Sequence, residues 1–311
     1  MLAGNGKFPL FGTFTNQTNL QMQSNRRDFL KQAGLLSAGT FALSSVLTDA
    51  LGASIKTYGL QLYSVRDVLP ADPKGVMTKL AQMGYKQFES YQGSNGFLWG
   101  LEPAAMRSFL NGIGVKMVST HFDFKAASEN ADTLQKYIDM ANGAGLSYML
   151  CPYIGAQKTW DDWKRVADSF NRVGEVVRNG GLKFGYHNHD YSFRPLDGKL
   201  PQEYLLTHCD PMNVLFELDM CWIEAAGQSA VDHLKQYGNR YELCHIKDYK
   251  KEADGKVIQQ DLGQGIVDYR AILKQARKSG MKHFLVEQEQ YATSSIMSMK
   301  ANADYMKKLK V

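Results

Sequence analysis

Four short strings carry most of the residues able to do chemistry in this 311-residue chain. They are Phe184-Gly-Tyr-His-Asn-His189, Val214-Leu-Phe-Glu-Leu-Asp-Met220, Leu243-Cys-His-Ile-Lys-Asp248 and Phe284-Leu-Val-Glu-Gln-Glu289. Each begins apolar and ends on ionisable groups. Successive side chains of a strand point to opposite faces, so Phe216, Leu218 and Met220 share one face and Leu215, Glu217 and Asp219 the other. The apolar face is expected to meet helices, which turns Asp219 inward. The same alternation pairs His187 with His189, His245 with Lys247, and Glu287 with Glu289. Burying such groups unpaired costs several kcal/mol each. One divalent cation held by His187, Asp219, His245 and Glu287 would remove that cost, and imidazole mixed with carboxylate suits Zn²⁺, Mn²⁺, Co²⁺ or Fe²⁺ better than Ca²⁺. The competing account is that these groups pair among themselves. Convergence of four successive strands on one point favours the cation.

Residues so placed need parallel strands that end at a common mouth. From Lys56 onward, short apolar runs alternate with helical patterns, the signature of βαβ units. Strands are expected at 57–65, 86–91, 115–122, 147–153, 183–189, 213–220, 241–247 and 283–289. Asp72-Pro73 opens a helix whose Val76, Leu80 and Met83 share a face before Gly84. Leu134, Ile138 and Ala141 repeat that spacing before Gly143, and Trp163, Val166, Phe170, Val173 and Val177 do so before Gly180-Gly181. Ile266, Tyr269, Ile272, Leu273 and Ala276 form a further stripe before Gly280. Eight units in about 255 residues fit a single-domain (β/α)₈ TIM barrel over 54–311, with chemistry at the C-terminal ends of the strands. A doubly wound open sheet is the runner-up. It calls for a phosphate-binding glycine turn that the sequence lacks, and Gly263-Gln-Gly265 reads as an ordinary turn.

The net charge is +5. Lys7, Arg26, Arg27 and Lys31 against Asp28 and Asp49 give the first 53 residues +2, leaving +3 for the rest. That is too weak a balance for nucleic acid or an anionic membrane surface. Cys151, Cys209, Cys221 and Cys244 show no metal-ribbon or redox spacing and read as buried free thiols. Asn25-Arg26-Arg27-Asp28-Phe29-Leu30-Lys31, a small apolar run from Ala33 to Leu47 and Ala50-Leu51-Gly52-Ala53 resemble a Tat export signal. Residues 1–53 are therefore expected to be a removable leader, with Met22 as the starting residue, and the mature chain to be periplasmic without a membrane anchor.

Gly59-Leu-Gln-Leu-Tyr-Ser64, Gly84-Tyr-Lys-Gln-Phe-Glu89, His121, His187-Asn-His189, Asp219, His245-Ile-Lys-Asp248 and Val286-Glu-Gln-Glu289 come in an order and spacing that resembles the xylose isomerase-like barrel superfamily of sugar phosphate isomerases/epimerases. The resemblance implies a metal held by Glu, Asp, His and Glu from strands five to eight, with the two glutamates exchanging protons on opposite faces of a sugar. Asp219, His245 and Glu287 match the last three; His187 stands where the first glutamate belongs, and Trp222 replaces a second-site histidine. The His-x-Lys-Asp string and the His-rich fifth strand are similar to inosose dehydratase.

The resemblance thus implies a metal-dependent isomerase or epimerase of carbohydrate metabolism, acting on a keto sugar or polyol through an enediolate, with a dehydratase as alternative. Glu287, Glu289, His189 and Lys247 are the candidate proton-handling residues. Glu89 and His121 are expected to contact substrate hydroxyls, and Tyr63, Tyr91 and Trp222 to wall the pocket. A phosphodiesterase resembling endonuclease IV is disfavoured by the modest charge. A non-catalytic sugar-binding protein is the remaining class, and homo-oligomerisation is open.

Overall fold

The computed structural model describes residues 54–311, so the expected export leader lies outside the described residues. Eight parallel strands close a barrel: β1 Gly59–Gln61, β2 Gln87–Tyr91, β3 Lys116–His121, β4 Tyr148–Cys151, β5 Lys183–His187, β6 Val214–Asp219, β7 Tyr241–Ile246 and β10 His283–Val286. Each pairs with the next, and β10 returns to β1. An antiparallel hairpin, β8 Asp248–Lys251 with β9 Val257–Gln260, leaves the barrel directly after β7.

Helices cover the outside. The helix at Pro73–Met83 is capped by the Asp72 carboxylate, which accepts from the Gly75 amide at 2.9 Å, and ends where Gly84 turns to φ +114°. Trp160–Asn179 starts at a reciprocal capping box between Thr159 and Asp162 and buries Trp163, Phe170, Val173 and Val177. Two boundaries differ from expectation. Gly143 lies inside the helix Ala131–Ala144, where it admits Pro103: an added Cβ would sit 2.7 Å from the proline Cβ; Gly145, at φ +81°, ends the helix instead. Ile266 is 62% exposed, because its helix begins only at Tyr269 on the Asp268 cap.

Inside the barrel, Val118, Tyr148, Leu150, Leu215, Leu243 and Leu285 form an apolar plug at the N-terminal end of the strands. Gly185 faces it because a Cβ there would come within 2.7 Å of Leu150 and Leu215. Two residues further along β6, β7 and the chain after β10, the same inward face carries Glu217, His245 and Glu287. Leucines below therefore support ionisable groups above.

Several strands stop short of their sequence bounds: β1 gives way to a 3₁₀ turn at Leu62–Val65, β5 ends at His187 and β10 at Val286. Past these points the backbone leaves the ladder, which places His189, Glu287 and Glu289 on the rim loops rather than in strands. All four cysteines are buried and free.

Candidate active site

The inward face delivers two tiers of polar side chains. In the deeper tier, Glu217 Oε2 lies 3.0 Å from His121 Nε2, 3.0 Å from His187 Nδ1 and 3.2 Å from His245 Nε2. Glu89 Oε1 lies 3.0 Å from His121 Nε2 and 2.7 Å from His245 Nε2, and accepts from Gln61 Nε2 at 2.7 Å. In the upper tier, the Lys247 ammonium is 3.2 Å from Asp219 Oδ2, 2.7 Å from Glu287 Oε2 and 2.9 Å from Glu289 Oε1. His245 joins the tiers, its Nδ1 being 2.9 Å from Glu287 Oε2; His187 does so more loosely, its Nε2 being 3.9 Å from Asp219 Oδ2.

Local structure fixes these positions. Asp219 ends β6 and caps the short helix Met220–Ala225, its Oδ1 accepting from the Cys221 and Trp222 amides at 2.9 Å each. Asn188, the residue after β5, clasps the Asp219 backbone, accepting from its N–H at 3.0 Å. Oδ2 of Asp219 is thereby left to the site. Gln259 of the hairpin holds Glu289, accepting from its backbone N–H at 2.6 Å. The Asp248 carboxylate accepts from the Gly263, Gly265 and Val267 amides and so ties the turn at 263–265 beneath the hairpin.

Burial and neighbouring charge set the protonation states. Burial pushes the Glu217 and Glu89 carboxyls up, yet the adjoining imidazoles more than offset it and hold Glu217 at about 2 and Glu89 well below the usual carboxylate range. Burial lowers the His121 imidazole, but Glu89 and Glu217 carry it up to about 9. His245 is raised well above its ordinary value against the same burial, by Glu217 and Glu287. His187 goes the other way, kept neutral by burial and by His245. His189 is lowered to about 4 by burial and Lys247. Lys247 stays an ammonium despite burial because Asp219, Glu287 and Glu289 surround it. Glu289 is lowered chiefly by Lys247, whereas burial raises Asp219.

A cavity of about 490 Å³ opens above, lined by His121, His187, His189, Glu287 and Glu289 and by Tyr63, Tyr91, Phe122 and Tyr153. Of the residues singled out from sequence, His187, Asp219, His245 and Glu287 present one ligand atom each within 4.8 Å of one another. Lys247 and Glu289 adjoin them. Glu89, expected to meet substrate, is fully buried beneath the histidines and absent from the cavity wall, because its carboxylate is taken up by Gln61, His121 and His245. Trp222 is half-buried and also off that wall; its ring stacks 6.0 Å from His189 and lies 5.2 Å from the Lys247 ammonium. Glu217, Gln61 and Asn188 were not singled out. Alternation had set Glu217 on the inward face with Asp219, and that was the available signal.

The donor set fits a divalent cation. Glu89 Oε2 and Glu217 Oε1 are buried carboxylate oxygens without a hydrogen-bond partner, and such orphans call for a cation or water. Two overlapping sets bring four ligand atoms together: His121, His187, Glu217 and His245, or His187, Asp219, His245 and Glu287.

Comparison with known proteins agrees with this architecture. The family described as xylose isomerase-like TIM barrel matches residues 77–309. Inosose dehydratase of Clostridium perfringens is 26% identical over 199 residues, 59% of this chain and 61% of that protein. The matched part thus spans about three fifths of the curated relative's length. The crystal structure of a sugar phosphate isomerase/epimerase from Parabacteroides distasonis is 26% identical, with a TM-score of 0.70, covering 81% of this chain and 94% of that one. An IOLI protein with a binding zinc atom shares the fold at 15% identity and a TM-score of 0.65, covering 81% and 96%.

Proposed function

This chain belongs to the xylose isomerase-like TIM barrel family, and from that premise we propose that it is a metal-dependent enzyme that removes a proton beside the carbonyl of an uncharged keto sugar or of a cyclic polyol oxidised to its ketone, an inosose. The carrying observation is the buried imidazole–carboxylate cluster at the floor of a cavity large enough for one sugar ring. His187 and His245 would hold the ion together with neighbouring carboxylates. When bound, a divalent ion supplies Lewis-acid polarisation of a carbonyl and an adjacent hydroxyl.

The side chains of this chain do the rest. Glu289 lines the cavity and is kept ionised by Lys247 at 2.9 Å, which suits it to take the proton. Lys247 holds Glu287 and Glu289 in place and offsets their charge. His189, neutral down to about pH 4, leaves Nδ1 without a partner at the cavity edge, where it can receive or relay a proton. The wall carries no lysine or arginine to clasp a phosphate, and its Glu287 and Glu289 already take up the Lys247 ammonium, so an uncharged sugar fits it better than a phosphorylated one. Tyr63, Tyr91 and Tyr153 offer ring faces and hydroxyls suited to a polyol.

Return of the proton to carbon gives an isomer or epimer; its delivery to a β-hydroxyl eliminates water. Elimination is favoured by one observation: on the cavity wall His121, His187 and Glu287 are tied to buried partners, which leaves ionised Glu289 and neutral His189, an unlike pair, whereas symmetric epimerisation calls for two alike. The test is incubation with uncharged keto sugars and inososes in deuterated water, with and without chelator. Turnover or carbon-bound deuterium that chelation abolishes, and that Glu289→Gln lowers by about 10²-fold or more, supports the reading. Ligand binding without either, or a preference for phosphorylated sugars, overturns it.

A further inference from the structure

We infer that Gln259, on the hairpin strand β9, is the positioning residue that leaves Oε2 of Glu289 as the oxygen to take the substrate proton. The inference rests on the reading of Glu289 as the base and adds what aims it.

Glu289 lies past the end of β10 at Val286, where no ladder partner meets its backbone. Its polar atoms are nonetheless held from three sides. Gln259 Oε1 accepts from its N–H at 2.6 Å, Arg66 Nη2 donates to its C=O at 2.8 Å, and Lys247 Nζ at 2.9 Å and Gln259 Nε2 at 3.3 Å both donate to Oε1. Oε2 receives none of these donors. It is the oxygen left to the cavity that Glu289 lines, with the side chain 31% exposed.

Both flanks of this clasp are built in. Gln259 is 6% exposed, although Lys250, Lys251 and Lys256 of the same hairpin face solvent. Its backbone N–H donates to Gln290 Oε1 at 3.0 Å, so the hairpin and the rim loop bond in both directions. On the other flank the Arg66 guanidinium also donates to the Tyr291 hydroxyl at 3.0 Å and lies 4.5 Å over the Tyr63 ring. The Tyr291 hydroxyl in turn donates to the Ser64 carbonyl at 2.7 Å.

Holding the N–H and the carboxylate of one residue takes a group that accepts and donates at once, and an amide does so with two separate atoms. A carboxylate at this position would serve the N–H and repel Oε1; a thioether would serve neither. The second donor on Oε1 matters for the chemistry. A carboxylate bound by one ammonium alone can turn both oxygens toward it, which takes Oε2 away from substrate. In the reaction the C–H bond beside the carbonyl breaks, its proton goes to Oε2 and its electron pair to the enediolate. That transfer needs the oxygen within hydrogen-bond reach, and a misplacement of about 1 Å can cost roughly 10²-fold.

The test compares Gln259→Met and Gln259→Glu with wild type, all loaded with the same divalent ion, by turnover of uncharged keto sugars and inososes and by carbon-bound deuterium uptake. Gln259→Met should lower kcat about tenfold or more, with KM and bound metal within about twofold of wild type. Gln259→Glu keeps the acceptor for the Glu289 N–H, so a merely structural clasp leaves its kcat near wild type, whereas aiming of Oε2 makes its loss as large as that of Gln259→Met. Wild-type kcat in Gln259→Glu overturns the inference, as does a rise in KM without a fall in kcat in Gln259→Met. Gln260→Ala, whose side chain bonds only the Ile258 and Gln259 carbonyls, should keep kcat within about twofold; an equal loss there would assign the effect to the hairpin as a whole and overturn the role of Gln259. Should Gln259→Met fail to fold by circular dichroism, Gln259→Glu decides alone. Folded, metal-loaded wild-type protein without turnover or deuterium uptake removes the reading of Glu289 as the base, whereas turnover that both Gln259 variants retain removes only this assignment.

Discussion

Replacing Lys247 by methionine should be among the most damaging single changes in the metal-free protein. The side chain is 1% exposed, and its ammonium faces three carboxylates within 3.2 Å. Methionine retains most of the packing and removes only the charge, leaving Asp219, Glu287 and Glu289 facing one another. Breaking a buried pair in this way costs about 3–5 kcal/mol. In a domain of this size each kcal/mol is worth roughly 2–4 °C, which places the melting temperature about 6–20 °C below wild type. The assay is thermal unfolding by circular dichroism in chelator near neutral pH. Salt should change the difference little, because the pairs are shielded from solvent ions. The triple variant Lys247→Met/Asp219→Asn/Glu287→Gln should recover much of the loss, since it removes charges together rather than stranding them. A Lys247→Met loss under about 1 kcal/mol, the ordinary worth of a surface pair, or a triple variant less stable than the single one, would refute the reasoning.

Asn302 is fully buried, accepting from the Leu262 amide at 2.7 Å and donating to Gln288 at 2.8 Å; Asn302→Leu should cost about 1–3 kcal/mol in urea unfolding by stranding both partners. An added Cβ at Gly174 would meet the Asn213 carbonyl oxygen at 2.3 Å. Gly174→Ala should therefore destabilise by about 1–3 kcal/mol, while Gly112→Ala, with nothing within 4 Å, should lose nothing. Burial lowers His233 from 6.5 to about 4. The unfolded chain binds that proton first, so this stability is fully present above pH 6.5 and lost as pH falls toward 4. His233→Gln should flatten the slope measured by denaturant titration across that window, and an unchanged slope would sink the assignment.

Much of the barrel was legible because apolar runs of four to six residues, alternating in facing on β6 and β7, recur between helical stripes. Strand ends were read too long, since alternation in 284–289 continues after the ladder stops at Val286. The hairpin went unread: Lys250 and Lys251 are solvent-facing, and four-residue strands around Asp254-Gly255 offer too little alternation. The helices Phe124–Glu129 and Met220–Ala225 are too short to repeat an apolar spacing. Within the site, the polar ends of strands stood out because charge interrupts an apolar run, as at Asp219 and Lys247. Glu217 shares the inward face with Asp219 by alternation, but it lies mid-strand rather than at the strand end, and its partners His121, His187 and His245 come from other strands that the sequence alone does not bring together.

That overlooked glutamate gives His187 its meaning. The resemblance to epimerases calls for a carboxylate at position 187, and an imidazole there breaks the matched pair of acids on which proton exchange at both sugar faces depends. The structure places the nearest carboxylate on the neighbouring strand and one tier lower, where Glu217 Oε2 lies 3.0 Å from His187 Nδ1. From there it orients imidazoles and does not line the cavity. Glu287 is held between Lys247 and His245 at 2.7 and 2.9 Å, so moving a proton onto it would dismantle both contacts. Of the carboxylates on the cavity wall, Glu289 alone has a single ammonium and no imidazole as its ionic partner. A lone carboxylate base with neutral His189 nearby suits one-sided proton removal, which leads toward loss of a β-hydroxyl more directly than toward inversion.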